Sequence, residues 1–383
     1  ELDPHARQCI DEHWRWLNSW TGRYQPKPCV FDNMLDVIPR QPPADLSWEG
    51  RKRWYDQMPL QGQQVCHTHG GLCSIRSPVP DLDVSGLPCQ DNSRCNPKRM
   101  FHLGKFGNCY LAWSRYHREQ ETPLLFLENT PEPCRHFHDV DIKINVIHAG
   151  LGPHYGCLQL FADPADVGHS AVSRHRTYVI LYHMGKVDYT HDVFDLYREI
   201  KKVITSRAHT RPSDYLVSSD AARQLDLVTR CARLRRFGAT TKGALEVADA
   251  LNGREQFLVQ QLDIAYFQKY GRAAQEDGEL VYYLGDRFEW SRTWSADSGR
   301  IPCYRHSCGK YLHRASMQLL TGQEKLCSMG WPITPEVARE MGCAELPSLD
   351  PQRSHFLAGN SMHVGNMSVI LLIALSCFSV RAQ

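Results

Sequence analysis

Gly86-Leu87-Pro88-Cys89-Gln90-Asp91-Asn92-Ser93 is the stretch on which the reading of this chain turns. It places a cysteine in a tight, proline-bounded loop just after Asp81-Leu82-Asp83-Val84-Ser85, which reads as a short strand. A second strand-like run, Leu124-Leu125-Phe126-Leu127, ends in Glu128-Asn129-Thr130, and a third, at 177–181, is preceded by Arg174-His175-Arg176. Short apolar strands alternating with helix-like stretches such as Cys109-Tyr110-Leu111-Ala112-Trp113 predict an α/β chain with a mostly parallel sheet. Chemistry in such sheets collects at the carboxyl ends of strands, where Cys89 and Glu128 fall, whereas Arg174 and Arg176 precede their strand. A cysteine, a carboxylate and paired arginines near successive strand ends are the groups that attack on a pyrimidine ring requires.

Together these stretches resemble the C5-cytosine methyltransferases, which methylate cytosine in DNA using S-adenosylmethionine. The family's Pro-Cys-Gln followed by Ser is intact in Pro88-Cys89-Gln90 and Ser93. Its Glu-Asn-Val is Glu128-Asn129-Thr130 here, and its Gln-x-Arg-x-Arg is Val172-Ser173-Arg174-His175-Arg176, with both arginines kept and the glutamine lost. Leu320-Thr321-Gly322-Gln323-Glu324 with Met329-Gly330-Trp331-Pro332 looks like the family's Leu-Thr-x-x-Glu and Gly-Phe-Pro segment. Gly359-Asn360-Ser361 matches Gly-Asn-Ser, with Ala358 where a Gln is usual. The motifs come in the family's order, and the resemblance runs from residue 1 to about residue 375.

The resemblance implies a Rossmann-like S-adenosylmethionine-dependent fold and a covalent mechanism. A Cys89 thiolate would add to C6 of cytosine and turn C5 into a nucleophilic enamine carbon. Glu128 would relieve charge at N3, with Asn129 fixing the loop. Arg174 and Arg176 would hold the ring oxygen and phosphates by charge-assisted hydrogen bonds. The base must be flipped out of the duplex, and Gln90 and Ser93 would contact that nucleotide. For the cofactor, the resemblance implies Glu1 at the ribose, Asp32 or Asn33 at the adenine amino group, Pro88 through its backbone, and Asn360 with Ser361. The tRNA-methylating branch usually follows Pro-Cys-Gln with Pro-Phe-Thr, so Asp91-Asn92-Ser93 favours DNA. A catalytically inactive nucleic-acid-binding module is the other alternative.

Glu1-Leu2-Asp3-Pro4-His5-Ala6 looks like the segment just after the fold's second strand, and the chain has no initiator Met. The expectation is a fragment whose first strand and glycine loop lie upstream. At 383 residues the chain is long enough for two or three lobes. The boundaries read as a catalytic core over 1–184, with an irregular insertion near 38–80. A target-recognition region follows at 185–315, then the rest of the core at 316–383. Hydrophobic content of 42% and charged content of 22% are those of a globular protein, and a net charge of +2 leaves any basic surface local. Such a surface is expected where Lys201, Lys202, Arg207, Arg211, Arg223, Arg230, Arg233, Arg235, Arg236 and Lys242 accumulate, with Arg230 and Arg233 as phosphate contacts.

The 15 scattered cysteines and the absence of a signal peptide point to reduced thiols in an intracellular protein, nuclear if eukaryotic. Residues 1–20 read as a helix, 29–34 as a strand with an acidic tip, and 141–147 as another strand. Cys66-His67-Thr68-His69 with Cys73 invites a zinc reading, yet its spacing fits no usual four-ligand pattern, so a plain loop and no metal are expected. Cys303 and Cys308 are a weaker pair still. The apolar run 369–380 is shorter than a membrane-spanning helix, and no membrane partner is expected.

Overall fold

A computed structural model of the chain describes residues 3–93, 96, 98–131, 142–234, 245–305, 309–346 and 350–381. Two compact units divide it: 1–162, 175–199 and 368–383 form the first, 163–174 and 200–367 the second. This division departs from boundaries at 184 and 315. The Leu-Thr-x-x-Glu and Gly-Asn-Ser segments fall in the second unit, and only the last residues rejoin the first.

The first unit opens with α1 (Pro4–Thr21), as its spacing predicts. The strand expected at 29–34 forms no ladder. Pro26 and Pro28 remove donors, and the segment is tied by the N–H of His67 to the carbonyl of Val30 at 2.9 Å. The stretch 38–80 is not irregular. It holds α2 (Trp48–Gln57), capped by Ser47, and the hairpin β1 (Gln63–Cys66) and β2 (Gly71–Ser74). Val37, Ile38, Tyr55, Leu60 and Ile75 bury against Leu111 and Ala112 of α3 (Gly107–Gln120). Polar residues dominate α2, and Tyr55 is its one buried residue, so the sequence carries little helical periodicity there.

The main sheet comprises β3 (Leu82–Gly86), β4 (Leu124–Asn129), β5 (Tyr155–Ala162) and β6 (Arg176–His183), in the order β3-β4-β6-β5. β3 and β4 are parallel, and β6 runs antiparallel to both β4 and β5. The fold is α/β with a mixed sheet: β3, β4 and β5 share one direction and β6 is reversed. Every residue of β4 is buried, as its unbroken apolar run requires of a central strand. Residues 142–147, expected as strand, open α4 (Ile142–Leu151). Seven alternating residues also satisfy a helical period, and Ile144, Ile147 and Leu151 continue it into a core with Tyr110, Leu125 and Val179. β7 (Val187–Tyr189) and the amphipathic α5 (Val193–Thr205) follow.

In the second unit, α6 (Asp220–Arg233) and α7 (Gly253–Tyr270) share a core with the antiparallel sheet β8 (Val281–Tyr283), β9 (Tyr311–His313) and β10 (Gln318–Leu319). Leu227, Leu262, Tyr266, Tyr282 and Leu312 are among its members. Next come α8 (Gly322–Ser328), α9 (Pro335–Met341) and α10 (Pro351–Asn360), and the chain returns to the first unit within α11 (Val364–Cys377). In the first unit, β11 (Phe378–Val380) pairs with β7. No single described helix is long and apolar enough to cross a membrane, although α10 and α11, bent by 41°, reach the length together.

Candidate active site

Parallel pairing of β3 with β4 sets Gly86 opposite Glu128, so both strands end at the same edge of the sheet. Cys89 follows three residues beyond that edge, and Glu128 stands on it. The reversed direction of β6 explains why arginines that precede a strand arrive here. Asn129 pairs with Thr177, and Arg176 is the first residue of β6. Its Nε lies 3.2 Å from Glu128 Oε1, with both side chains nearly buried. The contact is a charge pair rather than an aligned hydrogen bond, for Glu128 Oε1 has no hydrogen-bond partner among the described residues. A buried acceptor in that condition is suited to a polar ring edge.

The Cys89 loop is tethered on several sides. The carbonyl of Cys89 accepts from the N–H groups of Asn92 and Ser93, both at 2.9 Å, which closes the turn. Asn129 Nδ2 donates to the carbonyl of Leu87 at 2.9 Å, so the residue beside the acid holds the loop that carries the thiol. Tyr110 donates to the carbonyl of Pro88 at 3.0 Å and receives the amide of the fully buried Asn92. The N–H of Phe106 donates to Asp91 Oδ2 at 2.9 Å. Buried Lys143 donates to the carbonyl of Thr130, just past Glu128 and Asn129. Sequence reading missed Tyr110, Asp91 and Lys143, whose roles depend on α3 and α4 packing beside the strand ends. Cys89 and Ser93 are half-buried and Gln90 is exposed.

Residues assigned to the cofactor have varied surroundings. Asp32 accepts from His67 Nε2 and sits 3.4 Å from Arg7. The His67 hydrogen bond, with the charges of His67 and Arg7, holds its carboxyl below the usual range. Its side chain is still 40% exposed, so a ligand amine could share it. The carbonyl of Pro88 is the one engaged by Tyr110. Asn360 is exposed and donates to the carbonyl of Phe356 at 3.1 Å, while Ser361 Oγ accepts from Trp331 Nε1 at 3.1 Å. Glu1 lies outside the described residues.

Other motif residues turn out to hold the second unit together. Buried Arg174 donates to the carbonyls of Ser361 and Gly359, joining the arginine segment to Gly-Asn-Ser. Thr321 and Glu324 form a capping box at α8, and Glu324 also accepts from the N–H of Ser218. Arg230, expected on the surface, is buried. Its Nε is 2.5 Å from Asp226 Oδ2, and Nη2 reaches the carbonyl of Leu320 and the ring of His355. Asp226 and Leu227 turn the same helix face inward, so charge count along the sequence could not separate a core cation from a surface one. Arg233, at the end of α6, is exposed, as are Lys202, Arg207 and Arg211. Lys201 pairs with Asp166 and Arg223 with Asp220; Arg235, Arg236 and Lys242 lie outside the described residues.

A second cluster gathers four potential donors where a plain loop was expected. His69 Nδ1 lies 3.5 Å from the sulfurs of Cys29 and Cys66 and 3.3 Å from that of Cys73. The missing fourth donor is Cys29, far upstream of the hairpin and therefore invisible to local spacing. Cys308 lies outside the described residues, so the Cys303–Cys308 pair has no described geometry.

No family model matches the chain, and no curated protein does. Solved structures similar to it include an Entamoeba histolytica methyltransferase, EhMeth, 12% identical over 77% of each chain with a TM-score of 0.43. A Spodoptera frugiperda DNMT2 mutant is 15% identical over 96% of each chain, with a TM-score of 0.40. An E. coli prophage chain described as a DNA modification methyltransferase is 15% identical, covering 98% of this chain and 90% of its own, with a TM-score of 0.49. These likenesses are distant, and the functional reading rests on the site's own residues.

Proposed function

We propose that this protein transfers a methyl group to C5 of a cytosine flipped out of DNA, through a covalent bond between Cys89 and C6. The observation that carries the reading is the shared edge of β3, β4 and β6, where the Cys89 loop, Glu128 and Arg176 converge. Cys89 Sγ adds to C6 while Glu128 stabilises the proton or charge at N3. Arg176 keeps the Glu128 carboxylate in place, and Asn129 fixes the loop so that thiol and ring meet in one orientation. Bound S-adenosylmethionine would supply an electrophilic methyl group to the activated C5. Loss of the C5 proton then lets the ring expel the Cys89 thiolate and regain aromaticity. Within the first unit, Asp32 and Pro88 are the described residues proposed to hold the cofactor; within the second, exposed Arg233 is proposed as a residue for the phosphates. A nucleophilic thiol also favours a reducing, intracellular setting.

The test is an oligonucleotide duplex carrying 5-fluorocytosine, incubated with the protein and S-adenosylmethionine. Fluorine cannot leave C5 as the proton does, so the adduct persists as a denaturation-resistant band that maps to Cys89. Cys89→Ser should give no band and still bind the duplex, since a hydroxyl is far less ionised near neutral pH. Glu128→Gln should form it slowly, as general acid help is worth about 10²–10⁴ in rate. A folded, cofactor-binding protein that yields no band overturns the enzyme reading. Binding without an adduct would then favour a module that only holds nucleic acid, and an adduct formed on tRNA alone would move the substrate to that branch.

A further inference from the structure

We propose that Cys29, Cys66, His69 and Cys73 bind one zinc ion in a closed, structural site. The four donor atoms all lie within 4.8 Å of one another. Zinc bonds of about 2.3 Å to sulfur and 2.0–2.1 Å to nitrogen, arranged tetrahedrally, place nitrogen and sulfur about 3.6 Å apart. The observed 3.3–3.5 Å between His69 and the three sulfurs approaches that spacing. The cysteines are thiols rather than disulfides. Three soft sulfurs with one imidazole select zinc over hard cations, and four protein ligands leave no open position for catalysis.

The local fold is built for such a site. Cys66 ends β1, His69 stands in the turn, and Cys73 lies on β2 opposite Gln64. The turn closes through the N–H of Gly70 on the carbonyl of Cys66 at 2.9 Å, and Gly70 takes a positive φ of 66° that side chains resist. Thr68 Oγ1 donates to the carbonyl of Pro28 at 2.7 Å, which brings Cys29 alongside.

Little else holds the hairpin. Its strands have four residues each, and Val65 and Leu72 are 61% and 65% exposed. A two-stranded hairpin with so little apolar burial is marginal by itself, and a metal tying it to the Cys29 segment supplies the missing restraint. His67, within the same turn, holds Asp32, so the metal also fixes that carboxylate. Only this last link depends on the cofactor reading; the metal test does not.

Zinc content of the protein purified under reducing conditions should be one ion per chain. Cobalt exchanged for it should show tetrahedral d–d bands and thiolate charge transfer. Cys29→Ser should weaken zinc binding at least about tenfold, the scale seen even when groups behind a ligand are removed. Cys343→Ser, which removes none of the four donors, should leave it unchanged. If a serine variant fails to fold, Cys29→His should keep the metal and lose about a third of the thiolate charge-transfer intensity, as one of three sulfurs is replaced. Reduced wild-type protein that takes up no zinc, charge transfer undiminished in Cys29→His, or a disulfide among the three cysteines after reduction would each overturn the proposal.

Discussion

Replacing Arg230 by alanine should destabilise the second unit without removing a phosphate contact. Arg230 is 7% and Asp226 2% exposed, and the guanidinium is the cation nearest that carboxylate. Burial alone would raise the Asp226 carboxyl, yet hydrogen bonding to His355 and the Arg230 charge bring it down to about 2, so it is ionised at neutral pH. Removing the arginine leaves a buried carboxylate facing a neutral imidazole. Breaking such a pair costs about 3–5 kcal/mol, a large part of the 5–15 kcal/mol that usually holds a folded domain. At about 2–4 °C per kcal/mol for a unit of this size, the melting midpoint should fall by roughly 6–20 °C. Arg233→Ala, one turn on and exposed, should move stability by less than about 0.5 kcal/mol. The assay is thermal and urea unfolding of both variants beside the wild type, with Asp226→Leu and Arg230→Met combined as a restoration control, since an apolar pair of similar volume can replace a buried ion pair at little cost. If Arg230→Ala and Arg233→Ala melt alike, the buried network is not holding α6 and the reasoning fails.

Asn129→Ala removes the donor to the Leu87 carbonyl, a loss of about 1–3 kcal/mol, so adduct formation should slow by roughly 5- to 150-fold; an unchanged rate would show that the Cys89 loop is held without it. Acid should weaken the fold through His355. Burial and the charges of Lys325 and Arg230 depress the ring to about 3 against the opposing pull of Asp226, so it is neutral when folded. Unfolded histidine takes a proton below about 6.5, so this contribution is complete above that pH and is lost as pH falls from 6.5 toward 3. His355→Asn should flatten the melting profile across that window, and a variant with the wild-type slope would refute the linkage. Arg233→Glu should weaken duplex binding and reduce the salt slope by about one contact, while leaving the melting midpoint unchanged; equal binding by wild type and variant would remove Arg233 from the interface.

The local pattern of residues was enough to place the Cys89 loop after a strand, Glu128 at the end of another, and α1 and α3 as helices. Each depends on neighbours within a few positions: an apolar run, a proline beside a cysteine, a helical spacing. Local pattern misread 141–147, because seven alternating residues fit both periods until Leu151 extends the helix. What sequence could not supply was direction and distance. Only the reversal of β6 brings Arg176 to Glu128, and only the fold of the first unit brings Cys29 to a hairpin far along the chain. Likewise Arg230 and Arg233 are both cations on one helix. Burial against Leu320 and His355 makes the first a core residue and leaves the second in solvent. Strand polarity, long-range closure and desolvation arise from packing between distant segments, so they are decided by the tertiary structure rather than by the residues beside them.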